Sequence, residues 1–161
     1  MQIQSAQEAL FIACEMERNA IALYDRALML VHQEILKKAD SALEERLTLM
    51  RDDEKRHLET FRTLYTGMDE SAEKTLTLAS IAADVLFPGG LVGAVRSGLL
   101  NDVPSMLRFA AQEEEKAINI YLSFAAQSGN EAACSMLTAI AHEEKRHLEV
   151  LQRQQDEYDS Q

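Results

Sequence analysis

The sequence predicts an all-α fold, a four-helix bundle with a long crossover between helices two and three. Three observations predict it. An identical hexamer occurs twice, as Glu54-Lys55-Arg56-His57-Leu58-Glu59 and as Glu144-Lys145-Arg146-His147-Leu148-Glu149. Glu17, Ala20 and Tyr24 recur ninety-seven positions later as Glu114, Ala117 and Tyr121, so the chain reads as a duplicated helix pair. Four long segments space their apolar residues three and four apart, the period of one helix face. The chain is 47% apolar, with only two prolines and six glycines to interrupt those segments.

The 161 residues fit a single domain over 1–161, organised as a helix pair 5–66, a crossover 67–101 and a helix pair 102–155. Ser5-Ala6-Gln7-Glu8 predicts a capping box that starts helix one. Leu10, Cys14, Glu17, Ile21, Tyr24 and Leu28 then form one stripe, and the pattern continues to about Lys38. A second box, Ser41-Ala42-Leu43-Glu44, starts helix two. Its inward face is Leu47, Met50, Glu54, His57, Phe61 and Leu64, and it stops near Gly67.

In the crossover, Leu78 to Leu100 is long and apolar enough to suggest a membrane span, but Asp84, Pro88-Gly89-Gly90 and Arg96 argue against one. The expectation is a short amphipathic helix to about Phe87, a turn at Pro88-Gly89-Gly90 and a second short helical piece. A bundle helix of about 25 residues is roughly 37 Å long, and a connection between parallel neighbours must travel that distance. Whether the crossover covers the bundle or forms a subunit interface is left open. Asp102 caps helix three, with Pro104 in its first turn. Leu107, Ala110, Glu114, Ala117, Tyr121 and Phe124 face inward. Ser128-Gly129-Asn130 is a turn and cap, and helix four runs from Glu131 to about Gln154 with Leu137, Ile140, Glu144, His147 and Leu151 inward. A polar tail from Gln155 is expected to fray.

The chemistry sits on these faces. A Glu and a His three apart lie on one side of a helix and can share an ion. Glu17 and Glu114 each interrupt an apolar stripe, where a carboxylate is costly unless neutralised. Counted from each helix start, Glu17, Glu54, Glu114 and Glu144 lie eleven to fourteen residues in, so all four fall in one layer. Four carboxylates balance two divalent cations, and mixed oxygen and imidazole donors suit iron or manganese, with zinc also able to enter.

Other features exclude rather than suggest. A net charge of −11 disfavours nucleic acid and anionic membranes as partners. Cys14 and Cys134 form neither a disulfide framework nor a zinc knuckle, and Cys14 reads as a small buried hydrophobe. Met1 to Gln7 lacks the basic start of a signal peptide, so a cytoplasmic location is expected. His142 and His147 are five apart, not the four of a zinc-protease helix, and His142 and His32 read as solvated. Glu113 and Glu115 read as surface charge.

On these motifs the chain resembles the rubrerythrin-type members of the ferritin-like superfamily of carboxylate-bridged di-iron proteins. That class uses one Glu from each of two helices and a Glu-x-x-His from each of two others. The resemblance spans all four helices and fills six of six ligand positions. It implies that Glu17 and Glu114 are terminal or bridging ligands, that Glu54 and Glu144 bridge, and that His57 and His147 each bind one metal. Tyr24 and Tyr121 match aromatic positions that hydrogen-bond ligand carboxylates, with plain core packing as the alternative. The implied cofactor is two iron ions, or manganese or zinc. The implied activity is that of a non-haem di-iron oxidoreductase, peroxidase or ferroxidase in type, acting on peroxide or oxygen. The alternatives are iron storage without turnover and a helical module with a structural metal. Rubrerythrins carry a further domain with iron on four cysteines; this sequence has no such set, which implies a separate electron-donor protein. They also carry an extra Glu where this chain has Ala117, which bears on peroxide reduction. A homo-oligomer, in its simplest form a dimer, is expected.

Overall fold

A computed structural model of the chain describes residues 1–32, 41–86 and 90–160. It is all-helical among those residues, with six helices: α1 (Ala6–His32), α2 (Ser41–Leu64), α3 (Glu70–Ala82), α4 (Gly90–Arg96), α5 (Val103–Gln127) and α6 (Glu131–Asp159). The four long ones form the bundle, while α3 and α4 make up the crossover and pack against α1.

Local chemistry sets most of the ends. Ser5 Oγ accepts the Glu8 amide at 3.2 Å, as a capping box requires. The Glu8 carboxylate answers the amide of Gln4, at 2.7 Å, one residue earlier than the reciprocal bond of that motif. Asp102 accepts the Ser105 amide at 2.7 Å and Asn130 the Ala133 amide at 2.9 Å, each satisfying one of the donors that a helix start leaves bare. Gly67 (φ 98°) and Gly129 (φ 61°) take the left-handed conformation at the two turns where helix two and helix three stop. The predicted continuation of helix one to Lys38, and Pro88 and Gly89 of the predicted turn, lie outside the described residues.

Three expectations need correction. Helix α3 ends at Ala82, not near Phe87, because Asp84 turns left-handed (φ 56°). The Asp84 amide then donates to the Ile81 carbonyl at 3.1 Å and the Val85 amide to the Ser80 carbonyl at 2.8 Å. This is the Schellman arrangement, with Asp in the place glycine usually takes. Helix α6 runs to Asp159, because Gln154 and Tyr158 are buried and their packing keeps the last turns helical. Finally, α2 packs on α1 and α6, and α5 on α6 and α1, so helices two and three are diagonal and not neighbours.

The core shows the helix directions. One apolar cluster joins Leu28, Leu43, Leu107 and Leu151; the other joins Leu10, Phe61, Phe124 and Leu137. The first therefore gathers the end of α1, the starts of α2 and α5 and the end of α6, and the second gathers the opposite ends. Thus α1 and α6 run one way and α2 and α5 the other. Burial of such side chains contributes about 1.5–3 kcal/mol each. Between the two clusters lies a polar layer. No described helix is long and apolar enough to cross a membrane.

Candidate metal centre

The layer holds the six side chains that the duplicated motif singles out. Glu17 comes from α1, Glu54 and His57 from α2, Glu114 from α5, and Glu144 and His147 from α6; all are between 0 and 7% exposed. Each helix brings its residue to mid-length on the face that elsewhere carries leucine or phenylalanine, so packing of the stripe also aims the carboxylate inward.

The six form two overlapping groups. Glu17, Glu54, His57 and Glu144 offer one donor atom each within 4.8 Å of one another, and so do Glu54, Glu114, Glu144 and His147. Glu54 and Glu144 belong to both. His57 Nδ1 lies 2.9 Å from Glu144 Oε1, 3.3 Å from Glu54 Oε2 and 3.8 Å from Glu17 Oε2. His147 Nδ1 lies 2.9 Å from Glu144 Oε2, 3.2 Å from Glu54 Oε1 and 3.9 Å from Glu114 Oε1. The imidazole centroids are 5.9 Å apart and their planes 27° from parallel.

Only part of this proximity is hydrogen bonding: His57 Nδ1 pairs with Glu54 Oε2 at 3.3 Å. Glu54 Oε1, both Glu144 carboxylate oxygens and His147 Nδ1 are buried without a hydrogen-bond partner, although each has opposite-charge atoms within about 3 Å. Buried polar atoms are nearly always paired. Atoms that converge without pointing at one another are arranged around a common point, as donors to a cation are. The donor set of carboxylates and imidazoles suits a first-row divalent ion. This buried cluster can hold a metal ion.

A further ring of side chains holds the six in place. Tyr24 Oη donates to Glu114 Oε1, and Tyr121 Oη donates to Glu17 Oε1 at 2.5 Å. Each tyrosine is buried and also bonds a carboxylate, so packing and hydrogen bonding are not alternatives at these positions. The bonds cross between α1 and α5, each tyrosine serving the other helix. Burial, then the charges of the nearby carboxylates, keeps both phenols protonated. The outer nitrogens have carboxylates of their own. His57 Nε2 lies 3.2 Å from Glu143 Oε2, and His147 Nε2 lies 3.2 Å from Asp53 Oδ2. Arg56 bonds both, at 2.6 Å to Glu143 and 2.7 Å to Asp53. That guanidinium first, and His57, hold Glu143 below the usual carboxylate range. Burial alone would raise Asp53, but Arg56 and His147 outweigh it. With each Nε2–H donated outward, each Nδ1 faces the centre.

Sequence reasoning missed Asp53 and Glu143. The signal was there: the residue before the hexamer is acidic in both copies. It also misjudged Glu113, which is half-buried against Lys116 at 2.8 Å and lines a cavity beside the layer. Burial raises its pKa. Glu115, His32 and His142 are exposed, as expected. Cys14 is buried in the apolar cluster.

Electrostatics without a cation are strained. Burial, then the charges of Glu54 and Glu144, hold Glu17 and Glu114 well above the ordinary carboxylate range. Burial would lower both histidines, but Glu144 and Glu54 outweigh it and push His57 up to about 10 and His147 up to about 12. Burial would likewise raise Glu54, but the two imidazoliums hold it low.

Neither a search of curated proteins nor a search of solved structures finds a match to this chain. The family described as the ferritin-like domain matches residues 5–157, which takes in all four bundle helices and all six side chains of the layer. On that match, and with a helical bundle around a buried carboxylate and histidine cluster, the chain belongs to the ferritin-like domain family.

Proposed function

We propose that the chain is a di-metal oxidoreductase of rubrerythrin type, in which the six buried side chains hold two iron ions that reduce peroxide or oxygen. The observation that carries the reading is the pair of overlapping donor groups sharing Glu54 and Glu144. One shared ion would need only one group. Two carboxylates common to both fit two ions held side by side, and four carboxylates neutralise their charge in a buried layer.

Bound as iron, the pair supplies two electrons and a Lewis-acidic surface for the oxidant. The chain does the rest. Tyr121 engages Glu17 Oε1 and leaves Oε2, which lies 3.8 Å from His57 Nδ1, free to face an ion. Tyr24 engages Glu114 Oε1, the oxygen that lies 3.9 Å from His147 Nδ1, and so fixes that carboxylate. Glu143 and Asp53 fix the rings of His57 and His147 with Nδ1 inward. The cavity lined by Glu17, Glu54, Glu114 and Glu144 gives a small oxidant room beside the layer. Reduction of one hydrogen peroxide takes two electrons and two protons and yields two waters, so one peroxide consumes one loaded pair. A separate electron-donor protein is then needed to restore it.

The test is anaerobic loading with two Fe(II) per chain, followed by a stoichiometric addition of hydrogen peroxide. Ferric absorption in the near ultraviolet is expected to rise as one peroxide disappears for every two irons oxidised. Neither absorption nor peroxide loss would reject the reading. Uptake of many more than two irons per chain would favour storage instead.

A further inference from the structure

We propose that Val85, on the crossover, sets the size of molecule that reaches the metal centre, and confines it to species of two or three heavy atoms such as dioxygen and hydrogen peroxide. The inference rests on the di-metal reading above. The cavity beside the layer opens between α1 and α5, on carboxylates from all four bundle helices. Its interior open to water centres is about 30 Å³. One water needs at least about 10–15 Å³ of such space, so two or three water-sized atoms fill it. Ala20 and Ala117, the small residues repeated in both halves, leave that space between the helices.

Val85 supplies a wall of it from outside the bundle. It lines the cavity although it belongs to the crossover, and it is only 5% exposed. Its position is fixed by the Schellman turn, through the 2.8 Å bond of its amide to the carbonyl of buried Ser80. The hydrophobic residue that follows such a turn commonly packs back on its own helix. Here it reaches the cavity of the bundle. A second tie runs through Lys116 of α5, whose Nζ lies 2.8 Å from Glu113 on the cavity wall and 3.8 Å from Asp84 beside Val85. The left-handed Asp84, which carries strain that glycine would not, thus supplies the charge next to Val85. The crossover is part of the site and not only a connection.

The test uses the full chain loaded with cobalt(II), whose visible absorption reports ligand binding without any redox step. The unsubstituted chain, Val85→Ala, Val85→Ile and Val85→Phe are each titrated with azide, acetate and benzoate. Azide is expected to perturb the spectrum of the unsubstituted chain and acetate to do so weakly. Val85→Ala should tighten acetate relative to azide by about tenfold or more, the discrimination that one or two methyl groups give in an apolar pocket. Val85→Ile should shift the same ratio the other way, and Val85→Phe should weaken azide itself. Equal ratios in all four chains at full cobalt occupancy would overturn the assignment while leaving the metal centre intact. An unsubstituted chain that takes up no cobalt would overturn the metal centre, and this proposal with it. Val85→Ile changes the volume least, and helicity by circular dichroism separates loss of fold from loss of binding.

Discussion

Glu144→Ala is expected to leave the chain with no bound metal, where the unsubstituted chain binds two ions and Glu17→Ala retains one. Glu144 and Glu54 belong to both donor groups, whereas Glu17 and His57 belong to one and Glu114 and His147 to the other. Removing a shared carboxylate takes a donor from each ion and leaves four positive charges in a buried layer facing three carboxylates. Burying unbalanced charge costs several kcal/mol, and each position keeps only three of its four donors, the loss that empties one position in Glu17→Ala. Removing Glu17 leaves Glu54, Glu114, Glu144 and His147 untouched around the other position. Metal analysis after dialysis against cobalt(II) or zinc reads the stoichiometry directly. One ion retained by Glu144→Ala would mean that the carboxylate is not shared, and the paired centre would have to be abandoned.

The second large effect is a stability gain on metal binding that grows with pH. In the metal-free chain Glu17 and Glu114 hold protons that the unfolded chain gives up above about pH 4.5. The folded state therefore binds more protons, and stability falls as pH rises. The histidines act in the same direction: their contribution is complete below pH 6.5 and is lost as pH climbs through about 10 for His57 and about 12 for His147. Glu54, held low, contributes above pH 4.5 and is lost only in acid. The metal-free chain is thus most stable in mild acid. A cation must displace these protons, up to four of them, from two imidazoliums and two carboxylic acids. Its affinity then rises with pH over the range where the bare chain weakens. An ion at a thousand times its dissociation constant adds about 4 kcal/mol. For a chain of this size that is a Tm increase of roughly 10 °C. Thermal unfolding with cobalt and with a chelator, from pH 6 to 8, measures the gap, and a pH indicator counts the released protons. A gap that stays constant with pH would contradict the proton displacement.

The repeated hexamer and the three-four spacing made the bundle legible, since burial is dictated by period and the same period carries Glu54 and His57 to one face. Caps at Ser5, Asp102 and Asn130 were legible because their side chains have one obvious donor to satisfy. Tertiary packing was not. Gln154 and Tyr158 look like a polar tail until a neighbouring helix covers them, and Asp84 does not advertise a left-handed turn as glycine would. The crossed tyrosines and the outer carboxylates of Asp53 and Glu143 depend on which helices are adjacent, and sequence spacing does not report that.

The two apolar clusters are separated by a charged waist, and this inverts the usual order of loosening. Most helices fray from their tips, where the packing runs out. Here the apolar clusters lie toward the two ends of the bundle, and the middle is the cross-section where the acids of four helices face one another. A cation therefore works as a keystone. Amide exchange is expected to run fastest around Glu54 and Glu144 in chelated protein and slowest there once the ions are in.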